Sequence, residues 1–366
     1  MSLLEVFRPD VLAMHAYHVQ DAAGYIKLDA MENPFTLPPE LQAKLGERLG
    51  RVTLNRYPGT RINDLHAALR SYAKVPTDYG LVLGNGSDEL ISLLSVACAK
   101  PGAVALAPLP GFVMYEAFAK QNGMRFVGVP LTAEFELDTP AMLAAIREHK
   151  PAITYIAYPN NPTANLWDDA AIEQVIEAVA ANGQGLVVMD EAYQPFASKS
   201  YLGRLTRHPH VLLMRTLSKF GLAGVRLGYM MGRKDLIEQV EKVRPPYNIS
   251  VLNTEAALFA LEHADEFARQ AETIKSERER LLAALAQMPG AKVYPSQANM
   301  ILVRVNDAAA VFAALKARHI LIKNVAGLHQ LLANCIRLTV GLPAENDALI
   351  SALAEILREP LTFNPA

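Results

Sequence analysis

A lysine beside a serine, with an arginine seven residues further on, can do chemistry when apolar runs lie on both sides. Thr216-Leu217-Ser218-Lys219-Phe220-Gly221-Leu222-Ala223-Gly224-Val225-Arg226 has this form. It follows Val211-Leu212-Leu213-Met214 and precedes Leu227-Gly228-Tyr229-Met230-Met231. The flanking runs read as strands, which puts Lys219 at a strand end among apolar neighbours. Desolvation lowers the pKa of an amine and leaves it a nucleophile toward aldehydes. Ser218 offers a hydrogen bond and Arg226 a planar fork for an anion, while glycines let backbone approach a ligand closely. The plain alternative is a solvated lysine on a surface turn. One ligand uses all of these groups together: pyridoxal 5'-phosphate, with its aldehyde on Lys219 and its phosphate on Ser218 and Arg226.

Other polar residues fall at strand ends in the same way. Asp190 closes Leu186-Val187-Val188-Met189. A carboxylate there is suited to the pyridine nitrogen of the cofactor, keeping the ring protonated and able to accept electrons. Tyr193, three residues later, and Asn161 in Tyr158-Pro159-Asn160-Asn161-Pro162-Thr163 are suited to the ring's phenolic oxygen. Gly86-Ser87-Asp88 enters a helix whose free N–H groups and positive end suit a phosphate. The dinucleotide fingerprint fails at this turn, because Glu89 stands where a third glycine belongs. Phe112 in Pro110-Gly111-Phe112 is placed to stack on a flat ring. Each position has an ordinary reading too: Asp190 as a helix cap, Asn161-Pro162 as a turn, Phe112 as a core aromatic.

These residues need a scaffold, and the middle of the chain supplies its pattern. Short apolar runs at 81–83, 103–107, 126–129, 153–157 and 186–189 alternate with amphipathic helical stretches at 87–97, 113–121, 140–149 and 168–181. Apolar runs between helices predict an α/β fold, a mostly parallel sheet covered on both faces. Ligands in such folds sit at the carboxyl ends of the strands. Earlier, Pro38-Pro39 opens a helix to about Arg48, and Asn63 is expected to cap the next one. After residue 232 the chain turns helical. Strand-like runs at 293–294, 300–305, 320–322 and 335–340, with helices at 307–317 and 345–357, then predict a smaller α+β domain. The division expected is residues 1–48 as an arm and part of the small domain, 49–261 as the large cofactor-binding domain, and 262–366 as the small domain.

Composition bounds the rest. With 366 residues, 51% apolar and 20% charged, the chain suits two globular domains. A net charge of −2 gives no electrostatic reason to expect nucleic acid or an anionic membrane as partner. No apolar stretch approaches the about 18 residues of a membrane span. Cys98 and Cys335 make no disulfide framework, and the nine histidines show no metal spacing; His208-Pro209-His210 reads as a surface loop. The first residues do not read as a signal peptide, so a cytoplasmic location is expected.

Asn161 to Asp190 is 29 residues, Asp190 to Lys219 another 29, and Lys219 to Arg226 seven. Asn-Pro-Thr, Asp-x-x-Tyr, Ser-Lys and a downstream Arg, in that order, resemble the fold-type I pyridoxal phosphate enzymes of the aspartate aminotransferase superfamily, from about residue 28 to 343. Leu28-Asp29-Ala30-Met31-Glu32-Asn33-Pro34, Arg56-Tyr57-Pro58, Gly86-Ser87-Asp88-Glu89 and Ile336-Arg337-Leu338-Thr339-Val340-Gly341 are similar to segments of the histidinol-phosphate aminotransferase family. The resemblance implies a homodimer in which Tyr57 reaches the cofactor phosphate of the neighbouring subunit. It implies that Arg337 binds the anionic end of the substrate and that Tyr17 and Asn33 lie near it. There are departures. Ala164 replaces the common glycine after Asn161-Pro162-Thr163, Phe112 replaces a frequent tyrosine, and Lys323 stands where an arginine contributing to phosphate binding is expected.

The activity so implied is transamination between L-histidinol phosphate and 2-oxoglutarate, giving imidazole acetol phosphate and L-glutamate in histidine biosynthesis. Lys219 acts as general base and acid. An aromatic amino acid aminotransferase and a phosphoamino acid decarboxylase are alternatives on the same fold. A transcription regulator would need a DNA-binding module before the Leu28 motif, where only about 28 residues are expected to be too few. Ser71-Tyr72-Ala73-Lys74 lacks the accompanying segments of a serine hydrolase and reads as a helix end.

Overall fold

The computed structural model describes residues 3–14, 16 and 19–358. After β1 (Ile26–Lys27) come seven strands: β2 (Tyr79–Gly84), β3 (Val104–Leu109), β4 (Arg125–Pro130), β5 (Ile153–Ala157), β6 (Leu186–Asp190), β7 (Val211–Thr216) and β8 (Gly228–Arg233). They form one sheet in the order β2-β8-β7-β6-β5-β3-β4. β8 alone runs against its neighbours; every other pairing in this sheet is parallel. β5 and β7 are buried at every residue, which is why their sequences are mostly apolar, with Thr154, Arg215 and Thr216 the buried polar exceptions. Successive side chains feed opposite faces. Val187, Met189 and Leu213 join one apolar layer with Leu65, Met142 and Ile172. Val188, Leu212 and Met214 join the other with Leu90, Leu94 and Tyr115.

The later strands are β9 (Lys292–Val293), β10 (Met300–Arg304), β11 (Ile320–Leu321), β12 (Lys323–Asn324) and β13 (Cys335–Thr339). An antiparallel sheet in the order β12-β13-β10-β9 carries the helices Ala264–Leu285, Ala308–Ala317 and Pro343–Arg358. Ile274, Leu281, Val311, Leu349 and Leu353 from those helices share a core with Ile301, Val303, Ile336 and Leu338. The single strand expected over 320–322 is divided. β11 pairs in parallel with β1, so the segment before Leu28 is tied here, and only β12 joins the larger sheet.

Asn63 does not cap its helix. That helix runs Arg61–Tyr72, so Asn63 lies inside its first turn, and Thr60 at the boundary makes no side-chain cap bond. The Arg61 guanidinium, which bonds Asp64 and Glu255, holds that end instead. The 208–210 segment is a surface loop, as expected, with Pro209 exposed and its two histidines half-buried. His208 bonds Glu173, and the His210 ring lies 3.1 Å from the Ile176 carbonyl, both on the helix Asp169–Ala181.

Candidate active site

β5, β6 and β7 end at the same edge of the large sheet, and β8, running the other way, begins there. Asn161, Asp190, Ser218 and Lys219 follow the first three, and Arg226 precedes the fourth. One recess takes walls from all of them, and from Ser87 and Phe112. Sequence positions spread over some 140 residues therefore meet in one place, because parallel strands present equivalent ends.

Lys219 sits in the short helical segment Ser218–Leu222, which Gly221 breaks with a φ of 141°. Its Nζ donates to the Ala30 carbonyl at 3.2 Å and lies 5.7 Å from the centroid of the Tyr193 ring. Burial, reinforced by the positive charge of Arg337, lowers its pKa to about 8. The amine is far more available as a base or nucleophile near neutrality than an exposed lysine.

Asp190 is buried, 5% exposed, and burial raises its pKa to about 6 against the pull of its hydrogen bonds. Oδ2 accepts from the Tyr115 hydroxyl at 2.6 Å, and Oδ1 accepts from the Ala192 N–H at 3.0 Å. The carboxylate thus does hold the following turn while it also faces the recess. Tyr193 is buried, and its hydroxyl pKa is raised by that burial.

At the other end, the Arg226 guanidinium donates to Ser218 Oγ at 3.4 Å and to Asp88 Oδ2 at 3.2 Å. Ser218 N–H donates to Thr216 Oγ1 at 3.1 Å. The helix Ser87–Cys98 starts at Gly86, whose φ is 85°. A Cβ on Gly86 would meet Arg226 Nη2 at 2.5 Å, and one on Gly228 would meet the Ser87 nitrogen at 2.7 Å. Both glycines let two backbone segments and a guanidinium close around one point. Glu89 reaches back to the Asn85 N–H at 2.6 Å and accepts from Asn248 at 2.7 Å, fixing this turn.

Asn161 Oδ1 accepts from Arg337 at 2.7 Å, and Arg337 also donates to the Asp29 carbonyl at 2.8 Å. Asn160 braces the same loop by donating to the Pro110 carbonyl at 3.0 Å and to Thr163 at 2.8 Å. Ala164 adopts a φ of 63°, so the turn keeps a left-handed residue at a cost of about 1 kcal/mol for the absent glycine. Lys323 is half-buried and pairs with Arg337 across β12 and β13.

Asn33, Tyr57, Lys323 and Arg337 do not line this recess, and Tyr57 is expected to serve the neighbouring subunit's site rather than its own. Asn33 spends its carboxamide on Gln270 at 2.9 Å and on the Phe220 carbonyl and Phe35 N–H. Tyr57 is 77% exposed and stacks on Tyr247, with ring centroids 4.7 Å apart, beside a groove carrying Arg48, Arg51 and Arg56. Tyr17 lies outside the described residues. Sequence reasoning missed Tyr115, Ala30 and Asn160. The alternation Phe112-x-x-Tyr115 after a strand was the available signal for the first. Among the described residues no group of three His, Cys, Asp or Glu side chains suits a metal, and no helix is long and apolar enough to cross a membrane.

A seven-stranded sheet with a recessed lysine, a buried carboxylate and an anion cradle at one edge defines a class. The chain belongs to the aminotransferase class I and II family, whose model matches residues 23–353. Relatives to which it is highly similar include histidinol-phosphate aminotransferases. It is 68% identical to the one from Methylibium petroleiphilum over 97% of this chain and 95% of that protein. It is 63% identical to the one from Polaromonas naphthalenivorans, over 96% of each. Among solved structures, the Sinorhizobium meliloti histidinol-phosphate aminotransferase in complex with pyridoxal 5'-phosphate matches with a TM-score of 0.85 at 26% identity, covering 98% of this chain and 99% of that one.

Proposed function

We propose that this chain, as a homodimer, transfers an amino group between L-histidinol phosphate and 2-oxoglutarate with pyridoxal 5'-phosphate bound in the recess. The observation that carries this is the position of Lys219, a depressed-pKa amine between a buried carboxylate and an anion cradle. The donor set fits the cofactor from end to end. Ser87, Ser218 and Arg226 with the helix start at Gly86 suit its phosphate, Asp190 its ring nitrogen, Asn161 and Tyr193 its phenolic oxygen, Phe112 its face, and Lys219 its aldehyde. When bound, pyridoxal phosphate supplies the electron sink for a carbanion at the substrate's amine-bearing carbon.

The chain's own groups do the rest. Asp190, ionised above about pH 6, offers the negative charge that keeps a ring nitrogen protonated. Arg337 grips Asn161 by its oxygen, which leaves the nitrogen as the donating end of that carboxamide. Lys219 Nζ removes the proton from the amine-bearing carbon and returns one, a task matched to a pKa of about 8. Arg337 holds the anionic end of either substrate with its fork. On this reading residues 49–261 carry the cofactor, and residues 1–48 with 262–366 supply Arg337 and Lys323.

The test is an amino-donor panel with 2-oxoglutarate and pyridoxal phosphate. Histidinol phosphate should be turned over in preference to phenylalanine, with no release of CO2. A preference for phenylalanine, or decarboxylation of a phosphoamino acid, would replace the substrate assignment.

A further inference from the structure

We propose that Tyr115 is a positioning residue for Asp190: its hydroxyl clamps one carboxylate oxygen and so keeps the carboxylate ionised and oriented toward the ring-binding end of the recess. This rests on the pyridoxal phosphate reading given above.

The geometry is that of a built clamp. Tyr115 is on the helix Met114–Gln121, is 2% exposed, and donates to Asp190 Oδ2 at 2.6 Å. Its ring stacks on Tyr155 of β5 with centroids 4.3 Å apart and planes at 4°. Phe112 also meets the ring, in an edge-type contact with centroids 5.5 Å apart and planes at 84°. The phenol therefore has one place to go, set by packing from two elements. The Ala192 N–H holds Asp190 Oδ1, so each carboxylate oxygen carries a donor from the chain itself.

A buried carboxylate needs such donors. Burial favours its protonated form, and the negative charges of Asp88 and Glu191 push the same way. A hydrogen bond donated to the charged form opposes both. A protonated Asp190 would present no charge to hold a proton on a ring nitrogen. Nothing about the apolar packing of Tyr115 requires the hydroxyl, since a phenylalanine ring fills the same stack.

The experiment compares wild type, Tyr115→Phe, Asp190→Asn and the double variant as full chains stripped of cofactor and titrated with pyridoxal phosphate. Affinity is read from fluorescence quenching, the visible absorption band is recorded at saturation, and melting curves of the apo forms establish folding. Tyr115→Phe is expected to weaken pyridoxal phosphate about tenfold, the scale of a hydrogen bond to a charged group. Its visible band should move part of the way toward that of Asp190→Asn. In the Asp190→Asn background the same replacement should change affinity less than about twofold, the limit of ordinary additivity. An equal loss in both backgrounds would show a packing role and overturn the proposal. So would an unchanged affinity and band in Tyr115→Phe. Failure of folded wild type to take up pyridoxal phosphate would overturn the functional reading first, and this proposal with it.

Discussion

Lys323 and Arg337 are direct partners across the antiparallel pair β12 and β13, so two cations face the same side of one small sheet. Like charges placed opposite each other repel, by up to about 1 kcal/mol, unless an anion lies near both. The pair is understandable as a binding site for more than one negative charge. Arg337, with its planar fork anchored on Asn161 and the Asp29 carbonyl, is suited to a carboxylate or a phosphate. Lys323 is a compact charge on a flexible stem, suited to adding attraction for a dianion. Arg337→Ala should damage both half-reactions. Lys323→Ala should weaken histidinol phosphate by about 1–3 kcal/mol and leave glutamate nearly untouched. Single-turnover kinetics of each half-reaction, followed by cofactor absorbance, decide this; equal damage to glutamate sinks the division of labour.

Asp190 should cost the apo protein stability. Its pKa is raised from 3.8 to about 6 by burial, so the folded chain keeps a proton that the unfolded chain has released. For a raised acid pKa the folded state binds more protons between those values, and stability falls as pH rises through that window. Asp190→Asn removes this penalty. Melting of the two apo proteins should be closest near pH 4 and should diverge in favour of the variant by about 1–3 kcal/mol at pH 7.5. Catalysis by the variant should fall by orders of magnitude. A variant that melts lower than wild type at pH 7.5 would mean the carboxylate contributes more to the fold through Ala192 and Tyr115 than its burial costs.

Lys219 should react as an unusually acidic amine. With the pKa lowered from 10.5 to about 8, the free amine is gained as pH rises through about 8 rather than through the usual lysine range. The rate at which the apo protein captures pyridoxal phosphate should rise with pH and level off above that value. Borohydride should then fix the cofactor to the peptide containing Lys219. A capture rate still climbing at pH 10, or label on another peptide, would remove this assignment.

Tyr57 is 77% exposed and Tyr247, stacked on it, is 57% exposed. Two large aromatics offered to solvent together suit a contact surface, and we propose that Tyr57 completes the site of a second copy. Mixing Tyr57→Ala with Lys219→Ala chains should restore some of the activity that each has lost, because a mixed dimer holds one intact site. If subunits exchange and no activity returns, the shared-site reading is wrong.

The sequence by itself determined what is local. The apolar runs that become β5, β6 and β7, the turn residues after them, and so the strand-end positions of Asn161, Asp190, Ser218 and Lys219 follow from a pattern read within a few residues. Ala164 was recognisable as a departure, and its left-handed backbone shows that the turn is kept regardless. Element boundaries were less secure where side-chain pairing decides them, as at Asn63, where Arg61 binds Asp64 and Glu255 and the helix begins earlier. Only the tertiary structure decided which distant groups meet. Tyr115 finds Asp190 across 75 residues and Arg337 finds Asn161 across 176. Asn33 finds Gln270 across 237 and the Phe220 carbonyl, next to Lys219, across 187. Such contacts depend on strand order and on how one covered sheet faces another. Those are set by the fit of whole apolar surfaces, and no short stretch of chain contains that information.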